Sequence, residues 1–89
     1  MTEFERRKGI VRRVLRELAE ERERQGISKN ALAAKAGLNQ SVISRLEEGV
    51  AANPTIDSML RISDALGVDL GSLLTRTIRQ EEKHDGSNP

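Results

Sequence analysis

The 89-residue chain predicts an all-α fold, on three observations. Aromatic residues make up 1% of it, cysteine is absent and there are two prolines, a composition that argues for helices rather than sheet. Its apolar residues recur at the three- and four-residue spacing of one helix face. Each such run is punctuated by a glycine with a capping residue shortly after it. A hydrophobic fraction of 36% against 33% charged residues fits one small globular domain with a modest core.

Five helices are expected. Residues 5–25 carry Ile10, Val11, Val14, Leu15, Leu18 and Ala19 with Arg and Glu between them, which predicts a long amphipathic first helix. Gly26 stops it and Ile27 follows. Ser28 is placed to cap a second helix of two turns with Leu32, Ala33 and Ala36 inward. Gly37 then stands where a helix C-terminus needs a positive φ, Leu38 covers the corner, and Asn39 caps a third helix carrying Ile43 and Leu46 inward. Gly49 ends that helix. The loop "VAANP" leads to Thr55, the cap of a fourth helix whose apolar set is Ile56, Met59, Leu60, Ile62 and Leu66. After "LGVD", Asp69 caps a short fifth helix with Leu70, Leu73, Leu74 and Ile78. The remaining "RQEEKHDGSNP" is polar and ends in turn formers, so a domain over 1–78 and a flexible polar tail over 79–89 are expected.

The same inventory narrows function. Without cysteine there are no disulfides and no thiolate metal sites. Catalysis needs a nucleophile with a base, a carboxylate pair or a metal set in a cleft, and the chain offers one histidine, His84 in the expected tail, and no Gly-rich phosphate loop. A protein that is not an enzyme and holds no cofactor or metal is therefore expected. No apolar run approaches the roughly 18 residues that span a bilayer, and "MTEFERRKGI" lacks an apolar signal core, so a cytoplasmic protein without membrane contact is the expectation. The net charge is +1, with nine Lys/Arg and six Asp/Glu in residues 1–30 against six and eight in residues 31–89. The cluster Arg6, Arg7, Lys8, Arg12, Arg13 and Arg16 reads as a solvated helix face with i,i+4 partners rather than a binding surface.

Two short helices joined at a glycine, each with its own apolar set, make a helix-turn-helix over residues 29–48. With Leu32, Ala36, Leu38, Ile43 and Leu46 burying the corner, Gln40, Ser41, Ser44 and Arg45 point outward from the third helix. These are hydrogen-bonding side chains of the kinds that read base edges in a major groove, although the same residues suit the wet face of an ordinary helix. Val42 serves either the edge of the core or a thymine methyl.

The linked pattern "ISKNALAAKAGLNQSVISRLEEG…NPTIDSMLRISDALGVDLGSLL" resembles the phage-repressor and Cro-type helix-turn-helix family, the Xre family of bacterial regulators, over roughly Leu18 to Leu74. The resemblance implies a compact five-helix, repressor-like domain that binds double-stranded DNA sequence-specifically and regulates transcription, with residues 40–48 as the recognition helix. It implies base-reading roles for Gln40, Ser41 and Arg45, with Ser44 on the same face. Lys29 stands where the family often has a phosphate-contacting Gln. Arg22, seven residues earlier, matches a phosphate-contacting arginine that the family pairs with the glutamate of "LE.G", here Glu47. Asn39 and Asn53 complete the phosphate candidates. Two departures are visible: the loop after Gly49 usually offers Lys or Arg where "VAAN" offers only Asn53 and main-chain N–H groups, and the extended first helix starts about two turns early, bringing Phe4, Arg6, Arg7 and Lys8.

One recognition helix covers few base pairs, so a homodimer on an inverted repeat is expected, held by Leu74 and Ile78 of the fifth helix with the extended first helix as the alternative. A competing reading keeps the fold but turns the third helix toward a protein partner such as a toxin, and antitoxins and restriction-modification controllers are as compatible with the resemblance as repressors.

Overall fold

Each helix begins where a short polar side chain meets the free N–H groups of a first turn. In the computed structural model, which describes residues 2–50 and 54–86, these starts set off α1 (Glu3–Arg24), α2 (Lys29–Ala36), α3 (Gln40–Glu48), α4 (Ile56–Leu66) and α5 (Leu70–Gly86). No strand occurs among the described residues. Thr2 accepts from the Glu5 N–H at 3.1 Å while the Glu5 carboxylate reaches back to the Thr2 N–H at 3.4 Å, and this reciprocal box starts α1 two residues before the expected Glu5. Ser28 accepts from the Ala31 N–H at 3.0 Å, Asn39 from the Ser41 N–H at 3.1 Å and Thr55 from the Ser58 N–H at 3.0 Å, as expected of all three. At the start of α5 the Asp69 carboxylate accepts from the Ser72 hydroxyl, and this bond, with the nearby backbone N–H groups of Ser72 and Gly71, holds its pKa below the ordinary aspartate value.

The first four helices also end alike. At the α2–α3 corner the Gly37 N–H reaches the Ala34 carbonyl at 3.3 Å and the Leu38 N–H reaches the Ala33 carbonyl at 2.8 Å, the paired bonds of a Schellman end. That pairing needs the residue at Gly37 to turn left-handed, and its φ is 69°. Equivalent pairs close the ends of α1, α3 and α4 with Ile27, Val50 and Val68 in the place of Leu38.

Capping decides where helices start and stop, and burial decides how they lie. The core takes Ile10, Val14, Leu15 and Leu18 from α1, Leu32, Ala33 and Ala36 from α2, Ile43 and Leu46 from α3, Met59, Ile62, Ala65 and Leu66 from α4, and Leu70 and Leu73 from α5. α2 packs on α3 and α4, while α1 lies along α5 and touches α3 and α4. Leu38 and Val42 pack half-buried against this core, which favours the core role for Val42.

Two expectations are corrected. Ile56 and Leu60 of α4 are 62% and 45% exposed rather than inward. The reason is angular: Leu60 lies two residues, about 200°, from Ile62, so both cannot face the core. The flank instead goes to Ser63, fully buried, whose hydroxyl donates to the Met59 carbonyl at 2.7 Å. The fifth helix is also not short. It continues past Ile78 to Gly86, through the stretch expected to begin a polar tail.

That continuation has a partner. Arg6 pairs with Glu82 at 3.5 Å, Arg13 with Glu81 at 3.3 Å and Glu17 with Arg76 at 3.5 Å, an antiparallel order that lays residues 76–82 of α5 along residues 6–17 of α1. Thr77 is buried on that side, its hydroxyl satisfied by the Leu73 carbonyl at 2.8 Å. The resulting two-helix arm helps make the molecule long, 45 × 22 × 19 Å.

A Cβ on Gly37 would approach the Arg61 Nη1 to 3.0 Å, the movable end of a flexible side chain, so backbone strain rather than crowding sets the effect of substitution there. Gly37→Val should destabilise the fold by more than about 1 kcal/mol in denaturant titrations, and Gly37→Asn by clearly less, because Asn tolerates the left-handed region. Equal melts for the two variants would contradict this account of the turn.

Candidate nucleic-acid interface

The geometry of α3 follows from its own two faces. Nine residues are too few to hold a helix alone, so its orientation depends on what its inward side chains grip. Ile43 and Leu46 are buried at 1% and 5% exposure, and this turns Gln40, Ser41 and Arg45 fully outward with Ser44 half-buried beside them. The Ser41 hydroxyl donates to the Asn39 Oδ1 at 3.1 Å, the atom that also accepts the Ser41 N–H. Ser41 thus offers lone pairs outward and Asn39 its amide N–H groups.

A second grip lies at the far end of α3. The Arg22 Nε donates to one Glu47 carboxylate oxygen at 2.7 Å and its Nη2 to the other at 3.0 Å, while Nη1 donates to the Ile27 carbonyl at 2.7 Å. Both side chains are largely buried, at 12% and 15% exposure. The Glu47 hydrogen bonds raise the Arg22 pKa above its ordinary value, working against burial. The sequence-expected pair is therefore formed, and it leaves Arg22 one N–H on each terminal nitrogen for any further acceptor.

The start of α2 completes the surface. Lys29, half-buried, is the first residue of that helix, and neither α2 nor α3 has an acidic residue in its first turn, whereas α1 has Glu3 and Glu5 and α4 has Asp57. A cation at a helix N-terminus opposes the macrodipole by about 0.3–1 kcal/mol unless an anion sits nearby. The N-termini of α2 and α3 thus carry no acid of their own, where those of α1 and α4 are already compensated.

A helix-turn-helix model matches residues 18–73, the span that holds both grips and the α2–α3 corner. The chain belongs to the helix-turn-helix (HTH_3) family. Within that family it is similar to the transcriptional regulator SlrR of Bacillus subtilis, 35% identical over 65 residues, and to the transcriptional regulators SinR of Bacillus licheniformis and of Bacillus subtilis, each 34% identical over 65 residues. The aligned stretch is 73% of this chain but 43% of SlrR and 57% of either SinR. No solved structure matches the chain. The helix-turn-helix match begins and ends inside α1 and α5, so the arm formed by their outer halves lies mostly beyond it.

The surface brings Gln40, Ser41, Ser44 and Arg45 onto one helix and adds Asn39 at its start, with Lys29 at the start of the preceding helix. Asn53 lies outside the described residues. Leu74 is half-buried against the core and Ile78 is 37% exposed, both on α5 and away from this corner. One contributor was not anticipated. Arg61 of α4 donates to Asp57 at 2.7 Å and to the Ala36 carbonyl at 3.4 Å, lying over Gly37 as a second closure of α2. The i,i+4 spacing of Asp57 and Arg61 was visible in the sequence, but the reach to Ala36 depends on α2 packing against α4.

Glu47→Ala should cost about 2–3 kcal/mol in chemical denaturation, because it removes two charge-assisted hydrogen bonds and leaves a mostly buried guanidinium uncompensated. Glu47→Gln, which keeps an acceptor for one of them, should lie between. A Glu47→Ala protein as stable as the wild type would show that the pair does not anchor α3.

Proposed function

We propose that this chain is a sequence-specific double-stranded-DNA-binding transcriptional regulator that lays α3 in the major groove and acts as a homodimer on an inverted repeat. The observation that carries the reading is the outward row Gln40, Ser41, Ser44 and Arg45 on a helix gripped from behind by Ile43, Leu46 and Glu47. A groove-reading helix needs polar side chains held in a fixed register, and this one has both. Family membership and relatives named as transcriptional regulators support the same reading. Arg45 is the exposed bidentate donor of the row, suited to a guanine edge, and Gln40 is suited to adenine. Lys29, Asn39 and the free N–H groups of Arg22 belong to phosphates, which set register rather than sequence.

The division of labour is measurable. On a sequence selected from a random pool, Arg45→Ala should relax preference at one or two base pairs of each half-site and weaken binding by about 1–3 kcal/mol. Lys29→Ala should weaken selected and random duplexes alike and lower the slope of log K against log salt by about one. Equal loss of base preference from both changes would overturn the assignment, and salt-independent binding of the wild type would favour a protein partner over DNA.

The dimer contact is assigned to Ile78 and Leu74 of α5. Ile78 is an exposed apolar side chain on the outer part of a helix already fastened to α1, a rigid patch of the kind an isologous contact uses. Sedimentation of the wild type at micromolar concentration should show a dimer, and the double variant Leu74→Glu, Ile78→Glu a folded monomer. The selected sites should then be inverted repeats with half-site centres about 34 Å apart. A variant that stays dimeric would move the contact elsewhere, with exposed Ile56 and Leu60 the next surface to test.

A further inference from the structure

The charge of the chain is segregated along α1. Residues 1–16 hold six Lys/Arg and two Glu, whereas residues 17–89 hold nine and twelve. The i,i+4 partners expected for the six cations are not made. Arg6 and Arg13 are instead taken up by Glu82 and Glu81 of α5, on the side where the two helices meet. Arg7, Lys8, Arg12 and Arg16 are exposed and pair with no carboxylate among the described residues. Three of them, Lys8, Arg12 and Arg16, stand at successive i,i+4 positions, so they form one stripe. Like charges at that spacing repel, and the stripe therefore weakens the helix that carries it. The Lys8 ammonium lies 5.0 Å from the centre of the Phe4 ring, an interaction that orients the cation without neutralising it.

The corner, by contrast, is poor in charge. Its base-facing row contains one cation, α3 ends in Glu47 and Glu48, and no Lys or Arg occurs in the sequence between Arg45 and Arg61. Phosphate attraction supplies most non-specific affinity for a duplex, and at the corner it rests on Lys29 and Lys35 of α2, Arg45 of α3 and the already paired Arg22.

We propose that the Lys8–Arg12–Arg16 stripe is a second DNA-binding surface that holds the phosphate backbone outside the base pairs read by α3. This rests on the DNA-binding reading above. The spacing suits the occupant: the stripe runs about 12 Å at about 6 Å per step, and a duplex strand carries one charge about every 3.4 Å of its axis, so the stripe faces three or four phosphates. It begins about 9 Å along α1 from Arg22, beyond the corner, so duplex meeting it lies past the segment under α3.

The test uses the whole chain and a random-sequence duplex of about 40 base pairs, with binding measured across a salt series. The triple variant Lys8→Gln, Arg12→Gln, Arg16→Gln should lose about 2–3 from the slope of log K against log salt, near 0.9 for each phosphate contact, and bind at least about tenfold more weakly at 0.1 M salt. Its preference for a selected site over the random duplex should be unchanged. The cation-keeping variant Lys8→Arg, Arg12→Lys, Arg16→Lys should retain slope and affinity, and matching melts will show that all three proteins are folded. An unchanged slope in the glutamine variant, with the wild type still preferring the selected site, would overturn this proposal and leave the DNA reading standing. Loss of slope in the cation-keeping variant would overturn it too, as would stripe-dependent binding of poly-L-glutamate without stripe-dependent binding of duplex, which hands the surface to an acidic protein. A wild type that binds neither duplex sinks both readings together.

Discussion

One guanidinium joins three separate pieces of backbone. Arg22 sits in the last turn of α1, grips the Glu47 carboxylate on α3 through two donors, and takes the Ile27 carbonyl of the α1–α2 connection through a third. The orientation of α3 cannot come from α3 itself, because nine residues supply too few hydrogen bonds to outweigh the cost of nucleating a helix. It comes from Ile43 and Leu46 plugging the core at one side and from this forked pair at the far end. Two apolar contacts alone leave a helix free to roll about its axis, and a bidentate, planar contact removes that freedom. The direction in which Gln40 and Arg45 point is thus fixed by a residue on another helix.

The same economy explains the pattern of caps. Ser28 and Asn39 are neutral acceptors, and the first turns behind them carry no carboxylate, so α2 and α3 start without cancelling their own dipoles. Where the chain uses helix starts only for structure, it adds acids: Glu3 and Glu5 at α1, Asp57 at α4. Asn39 shows how one residue serves two ends. Its carbonyl oxygen is spent on Ser41, and its amide N–H groups remain directed to whatever lies outside. The caps at the starts of α2 and α3 are therefore neutral, and they add no negative charge to that surface.

How far the sequence foretold this depends on the range of the interaction concerned. Ser28, Asn39 and Thr55 act on N–H groups two or three residues away, and Gly37 and Gly49 on carbonyls a few residues back, so these punctuation marks could be read directly. The Arg22–Glu47 pair spans 25 positions and was reached only through resemblance to a family, since composition contains many such opposite charges. The length of α5 was not legible at all. "RQEEKHDG" has no apolar periodicity of its own, and part of what holds it helical is Arg13 and Arg6, far away in sequence on α1. The expectation for Ile56 and Leu60 failed differently, by counting apolar residues without asking whether Leu60 and Ile62 can share a face.

The arm and the corner are mechanically one object. α1 runs from Glu3 to Arg24 without interruption, about 33 Å, and contains no proline to kink it. One end of that rod carries the cation stripe and the other carries Arg22, so any force on the arm is delivered to the clamp on Glu47 rather than dissipated in a linker. α5 braces the rod from Arg6 to Glu17 through Glu82, Glu81 and Arg76, and towards its C-terminal end α3 and α4 press against Leu15 and Leu18 from the core side. A flexible basic tail would raise local concentration on a polyanion while leaving α3 free to sample orientations. A braced helix instead restricts the orientations together, so that the two proposed contacts, at the arm and at the corner, would select the same pose.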